Sequence, residues 1–229
     1  MNICVNWAPE VHKYRGAYYM FATFTRRECG LRGTFILRAE SPVGPFEPHS
    51  KCAVTPDEWE CLDGTFYVDE YGKPYMIFCH EHTQIIDGSI CYMPLKDDLT
   101  AAAGEPSLLF HASEPYWVGE KKEGVHYVTD GPFIYRGKGG RLFMIWSTFI
   151  GGKYAECLVE FEGGRLGDRF VHLSPLIADD GGHGMIFSAE GRLYLSLHSP
   201  NKSGLERPTF IELYDSGEEI RLAKNVKQP

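Results

Sequence analysis

Four residues able to move protons or bind a cation stand in look-alike surroundings. Glu10 lies in Trp7-Ala8-Pro9-Glu10-Val11 and Asp63 in Leu62-Asp63-Gly64-Thr65-Phe66. Asp130 lies in Thr129-Asp130-Gly131-Pro132-Phe133, and His183 in Gly182-His183-Gly184-Met185. Successive members are 53, 67 and 53 residues apart, and each opens a strand, a turn containing Gly, and a very apolar second strand. Three carboxylates gathered in one pocket beside an imidazole would, as like charges, raise one another's pKa, which is how an acid stays protonated at neutral pH. Two carboxyl groups across a glycosidic bond can divide the work of hydrolysis, one protonating the leaving oxygen and the other activating water. Simpler roles exist for each residue. Asp63 and Asp130 precede Gly and fit turns, Glu10 can bind backbone amides, and His183 can be a packed histidine.

The elements that must position them repeat with the same period. The apolar second strands read AYYMFATFT from Ala17, PYMIFCHE from Pro74, RLFMIWSTF from Arg141 and RLYLSLHSP from Arg192. Third strands follow as GTFILRAES from Gly33, GSICYMPL from Gly88, KYAECLVEF from Lys153 and RPTFIELYD from Arg207. Fourth strands are weak, with SLLFHA from Ser107 the clearest. Four strands per unit at this period predict an all-β fold, a β-propeller, in which the first strand of every blade lines one central channel. A β-sandwich with similar hairpins is the competing architecture. The expected organisation is a single domain over 1–229 with blades at about 5–50, 60–112, 127–175 and 181–224. Only Thr100–Ala103 suggests a helical turn.

Composition narrows the partners. The chain carries 31 acidic against 23 basic residues, a net charge of −8, with no basic run longer than two residues. This argues against nucleic acid or an anionic membrane surface, both of which need clustered Lys and Arg. No apolar stretch reaches membrane-spanning length. The start Met1-Asn2-Ile3-Cys4 lacks a charged n-region, so no signal peptide is expected from this chain and it reads as cytoplasmic; a longer native N-terminus would allow a periplasmic or secreted protein. Seven cysteines without a CxxC pair are expected to be reduced structural thiols, not zinc ligands. Aromatic residues make up 14%, enough for strands and for flat faces that hold sugar rings. Trp7, His80, Trp117, His126 and His183 are the candidate substrate-binding side chains beside Glu10. In His80-Glu81-His82, strand alternation would send Glu81 to the face opposite its neighbours, so a metal site made of all three is not expected. His80 or His82 facing the pocket is the expected arrangement. Asp97-Asp98 and Asp179-Asp180 read as solvated loop charges.

These segments resemble glycoside hydrolase family 43, the arabinofuranosidases and xylosidases. WAPEVHKYRGAYYMFAT is similar to that family's WAPDV-type blade opening, and LDGTFYVDEYGKPYMIF to its ID-x-x-x-F-x-D-x-D-G-K-x-Y segment. TDGPFIYRGKGGRLFMIWS resembles the E-G-P-x-I-Y segment, and GGHGMIF the His segment of the last blade. The resemblance implies that Asp130 is the general acid, that Asp63 tunes and orients it, and that His183 borders a calcium or sodium ion in the channel, with no cofactor required for catalysis. It also implies an inverting glycosidase, read as exo-acting, for α-L-arabinofuranosyl or β-D-xylosyl groups of plant-type carbohydrate.

Two departures accompany it. The acid position holds Asp where the family usually has Glu, which changes the reach of the proton donor. The family is five-bladed, and its base sits on a blade preceding the WAPDV-like one, which has no counterpart in this chain. A non-catalytic sugar-binding propeller and a propeller for protein contacts are therefore the alternatives. Open sheet edges further predict either a ring closed with four blades or a homo-oligomer.

Overall fold

The computed structural model describes residues 6–223, with side chains from residue 8 onward. Every sheet in this part is a four-stranded antiparallel meander. The first contains β1 (Asn6–Tyr14), β2 (Ala17–Thr25), β3 (Arg32–Ala39) and β4 (Glu47–Pro48). The second contains β5 (Cys61–Val68), β6 (Pro74–His80), β7 (Ser89–Pro94) and β8 (Ser107–His111), with the short helix α1 (His82–Ile85) between β6 and β7. The third contains β9 (Asp130–Arg136), β10 (Leu142–Ile150), β11 (Lys153–Phe161) and β12 (Phe170–Ile177). The fourth contains β13 (Gly182–Ala189), β14 (Arg192–Ser199), β15 (Arg207–Asp215) and β16 (Ile220–Leu222). Two-residue turns at Arg15-Gly16, Gly151-Gly152 and Glu190-Gly191 close three of the hairpins, because residues on either side of each pair directly.

The chain divides into two compact units. One holds residues 1–112 and 124–129, the other 113–123 and 130–229. In the first unit, Ala17, Tyr19, Phe21 and Ile36 of the first sheet pack against Met76, Phe78, Cys91 and Met93 of the second. Arg32 bridges the same two sheets, pairing with Glu60 and, at 3.0 Å, with Glu81. In the second unit, Phe143, Ile145 and Leu158 meet Ile186, Leu195, Ile211 and Leu213. These residues alternate along their strands, so each sheet commits one face to the core of its unit.

A detail of register recurs in all four sheets. Three steps along the first strand face two along the second: Trp7 to Glu10 opposite Thr23 to Phe21, and Leu62 to Thr65 opposite Cys79 to Ile77. The same holds for Asp130 to Phe133 opposite Ser147 to Ile145, and Gly182 to Met185 opposite His198 to Ser196. Each first strand thus carries a one-residue bulge, which bends it and re-aims the side chains beside it.

The register corrects the sequence alignment of the four candidate residues. Asp63 and His183 lie inside their bulges, Asp130 immediately before its bulge and Glu10 immediately after. Spacing alone hides this, because a bulge adds a residue without any local composition signal beyond Gly or Pro. The helical turn also falls elsewhere: it forms at His82–Ile85, while Thr100–Ala103 is a bend with a bridge from Ala102 to Leu95. His82 therefore sits on α1 and not on a strand, and strand alternation does not govern where it points. Of the six described cysteines, Cys61, Cys79, Cys91 and Cys157 are buried thiols and Cys29 and Cys52 are exposed. Cys4 lies outside the described residues.

Candidate active site

The bulges hold non-glycine residues in left-handed backbone, with φ of 53° at Asp63 and 56° at His183. Such strain costs about 1–3 kcal/mol per residue and persists only where surrounding contacts over-determine it. Those contacts are side-chain hydroxyls on a neighbouring sheet of the same unit. Thr23 Oγ1 accepts the Asp63 N–H at 3.1 Å in the first unit, and Ser147 Oγ accepts the His183 N–H at 2.7 Å in the second. Thr23 and Ser147 occupy the same register position in their second strands, facing Trp7 and Asp130.

In the second unit Asp130, on β9, is half-buried, its side chain 28% exposed. Tyr154, on β11, donates its phenolic hydrogen to Asp130 Oδ2 at 2.8 Å. The other oxygen, Oδ1, lies 3.9 Å from His183 Nδ1. Asp130 faces Ser147, and Ser147 faces Glu156, so all three share one side of the sheet. Ser147 Oγ donates to Glu156 Oε2 at 3.3 Å. The Gly184 backbone is hydrogen-bonded to the same carboxyl group, and a Cβ at Gly184 would sit 2.7 Å from Glu156 Oε2. Glu156 and Ser147 together hold the strained backbone of His183 and the backbone of Gly184 that follows it.

Glu156 is fully buried, and its Oε1 has no hydrogen-bond partner. Burial pushes its carboxyl well above the usual carboxylate range, and Asp130 nearby adds to the rise. The folded protein therefore keeps this proton at pH values where the unfolded chain, titrating at about 4.3, has released it. Stability from this group is full below that value and declines as pH rises toward the folded-state pKa. Glu156→Gln is neutral at every pH and escapes the decline. Its melting temperature is expected to gain on that of the parent between pH 4 and 8, measured by thermal melts in parallel buffers.

The first unit places the remaining candidates as follows. Glu10 is buried, accepting a hydrogen bond from Thr65 Oγ1 at 2.6 Å, with His12 Nε2 at 2.9 Å. Its carboxylate thus ties the first sheet to the second. His80 donates from Nε2 to Gln84 Oε1 at 2.7 Å and stacks on Trp59 at 4.2 Å. Burial lowers its pKa, partly opposed by the Gln84 hydrogen bond. His126 Nδ1 is 2.9 Å from the His82 carbonyl oxygen and 3.2 Å from His82 Nδ1. Trp7 pairs its backbone with Thr23, while its side chain lies outside the described residues. Trp117 belongs to the second unit, where its indole N–H donates to the Leu173 carbonyl at 3.2 Å and its ring lies 6.0 Å from that of Trp146.

Tyr154, Ser147 and Glu156 escaped the sequence reading. One signal was available: Glu156 interrupts the apolar strand KYAECLVEF at a position that must be buried. A carboxyl group there needs a reason beyond packing.

Four meanders with identical bulges define the blades of a β-propeller, and comparison with known proteins places that propeller in a family. The sequence model described as glycosyl hydrolases family 43 matches residues 1–164. An endo-arabinase from Bacteroides thetaiotaomicron is 44% identical, with a TM-score of 0.84, over 91% of this chain and 75% of that one. An endo-1,4-beta-xylanase from the same organism is 20% identical, with a TM-score of 0.77, over 99% of this chain and 78% of that one. An alpha-L-arabinofuranosidase from Lactobacillus brevis is 17% identical, with a TM-score of 0.71, over 91% of this chain and 72% of that one. No curated protein sequence matches the chain. The chain belongs to glycosyl hydrolase family 43, and it is a glycoside hydrolase of the propeller type.

Proposed function

We propose that the chain acts on α-L-arabinofuranosyl linkages of an arabinan-type polysaccharide, with Asp130 as general acid and Asp63 tuning it. The observation that carries the substrate class is the 44% identity, over 91% of the chain, to a protein named as an endo-arabinase. That name favours internal cleavage over the exo action expected from sequence. β-D-xylosyl linkages are the second substrate class, supported by a likeness of fold alone.

In the proposed reaction the Asp130 proton moves to the leaving glycosidic oxygen as the bond to the anomeric carbon breaks. None of the residues assigned a role serves as the general base; a carboxylate in that role would activate water on the opposite face, so the configuration would invert. Glu10, His80, Trp117, His126 and His183 are proposed to shape the sugar site, together with Trp7. Calcium and sodium are hard cations that take oxygen ligands. His183 offers nitrogen, so it does not fit as a direct ligand and would serve such an ion only through a bound water. The proposed partner is carbohydrate, with neither nucleic acid nor membrane, and self-association stays open to light scattering.

A non-catalytic sugar-binding role is the second reading, favoured by the shorter Asp at the acid position. Calorimetry and reducing-end release with arabinan and xylan oligosaccharides separate the two. Release from arabinan exceeding that from xylan supports the proposal; binding without release overturns it in favour of the second reading.

A further inference from the structure

Tyr154 is only 2% exposed and is fixed from several directions. Its ring stacks on His198 at 5.4 Å with an interplanar angle of 23°. Its carbonyl accepts the N–H groups of Asp180 and Gly181, each at 3.1 Å. A Cβ at Gly182 would lie 2.5 Å from the ring carbon Cε1. A phenol so confined cannot follow a moving partner; it imposes its position on Asp130.

The direction of its hydrogen bond carries a chemical consequence. The phenol donates to Oδ2 at 2.8 Å, and a carboxyl oxygen accepting that bond is the disfavoured place for the carboxyl group's own proton. We infer that Tyr154 is a positioning residue that assigns the transferable proton of Asp130 to Oδ1, the oxygen nearer His183. The inference rests on the reading of Asp130 as the general acid. During transfer the Oδ1–H bond breaks and a bond from hydrogen to the leaving oxygen forms. The carboxylate keeps the electron pair, and the phenol keeps its proton. Without the phenol both oxygens compete for the proton, and only part of the protonated population is productive. Fixing one oxygen matters more for an Asp, whose single methylene leaves it little reach for correction.

Tyr154→Phe retains the ring and its packing while removing the donor. It loses the assignment of the proton, worth about twofold between two equivalent oxygens, and also the phenol's hydrogen bond to the carboxylate that forms as the proton leaves, so kcat is expected to fall about ten- to hundredfold, with KM little changed. The same substitution added to Asp130→Asn is expected to cost nothing further, because its effect passes through the carboxyl group. An equal loss in both backgrounds, or unchanged kcat in Tyr154→Phe, overturns the inference. Unchanged turnover in Asp130→Asn defeats instead the assignment of the acid. A readout independent of turnover is the 13Cζ resonance of Tyr154 in tyrosine-labelled protein. It is expected to move in Asp130→Ala, and a stationary signal in that variant overturns the contact itself.

Discussion

Asp130→Asn is expected to lower kcat/KM on arabinan oligosaccharides by about 10²–10⁴, the usual contribution of a positioned general acid. Binding of the same oligosaccharides should persist, because Asn keeps the shape and can still accept from Tyr154. The loss should be greatest for alkyl and sugar leaving groups and smallest for activated aryl glycosides, which depart without protonation. That dependence separates a missing acid from a damaged fold, which slows all substrates alike. Steady-state kinetics on both substrate types, with calorimetric binding, is the measurement. Equal losses on both would place the role of Asp130 in structure.

Gly182→Ala is the second large effect expected. Its new Cβ would fall 2.5 Å from Tyr154 Cε1 and 2.8 Å from Ser147 Oγ. Both neighbours are buried, and both hold the site: Tyr154 binds Asp130 and Ser147 binds the His183 backbone. Overpacking of this kind costs about 1–3 kcal/mol. In a chain of this size each kcal/mol lowers Tm by about 2–4 °C. Displacing the phenol should also lower kcat, so stability and turnover fall together. By contrast Gly191→Ala, at a hairpin turn where a Cβ meets nothing within 4 Å, pays only for its left-handed φ of 75° and should leave turnover unchanged.

Much of the fold was legible because propeller strands advertise themselves. KYAECLVEF and RPTFIELYD coincide with β11 and β15, and AYYMFATFT with β2. Each lies between turn residues and is rich in β-branched and aromatic side chains. Of the outer strands only SLLFHA, which contains β8, was legible. β4 is the two residues Glu47–Pro48 and β16 only three, too short for a period to register. β12 was missed although it is eight residues long, because its half-buried FVHLSPLI shows no strict alternation.

The candidate site was legible in residue type and not in geometry. Composition and spacing drew attention to Asp63, Asp130 and His183, and the resemblance to the family supplied roles for them. The bulges separated their register positions, which no count of residues could reveal. The supporting residues were hidden for another reason. Ser147 and Tyr154 look like ordinary strand residues, and only the pairing of β10 with β9 and β11 brings them beside Asp130. His80 and Trp117 show the converse. Their residue types suit sugar binding, yet their polar atoms bind Gln84 and the Leu173 carbonyl.

The most direct test of the account is time-resolved 1H NMR of the protein with arabinan oligosaccharides, following new reducing ends as they form. Cleavage of the arabinofuranosyl linkage is expected, with the inverted anomer appearing first, before mutarotation equilibrates it. Oligosaccharides that bind and stay intact, or a first-formed anomer of retained configuration, would contradict it.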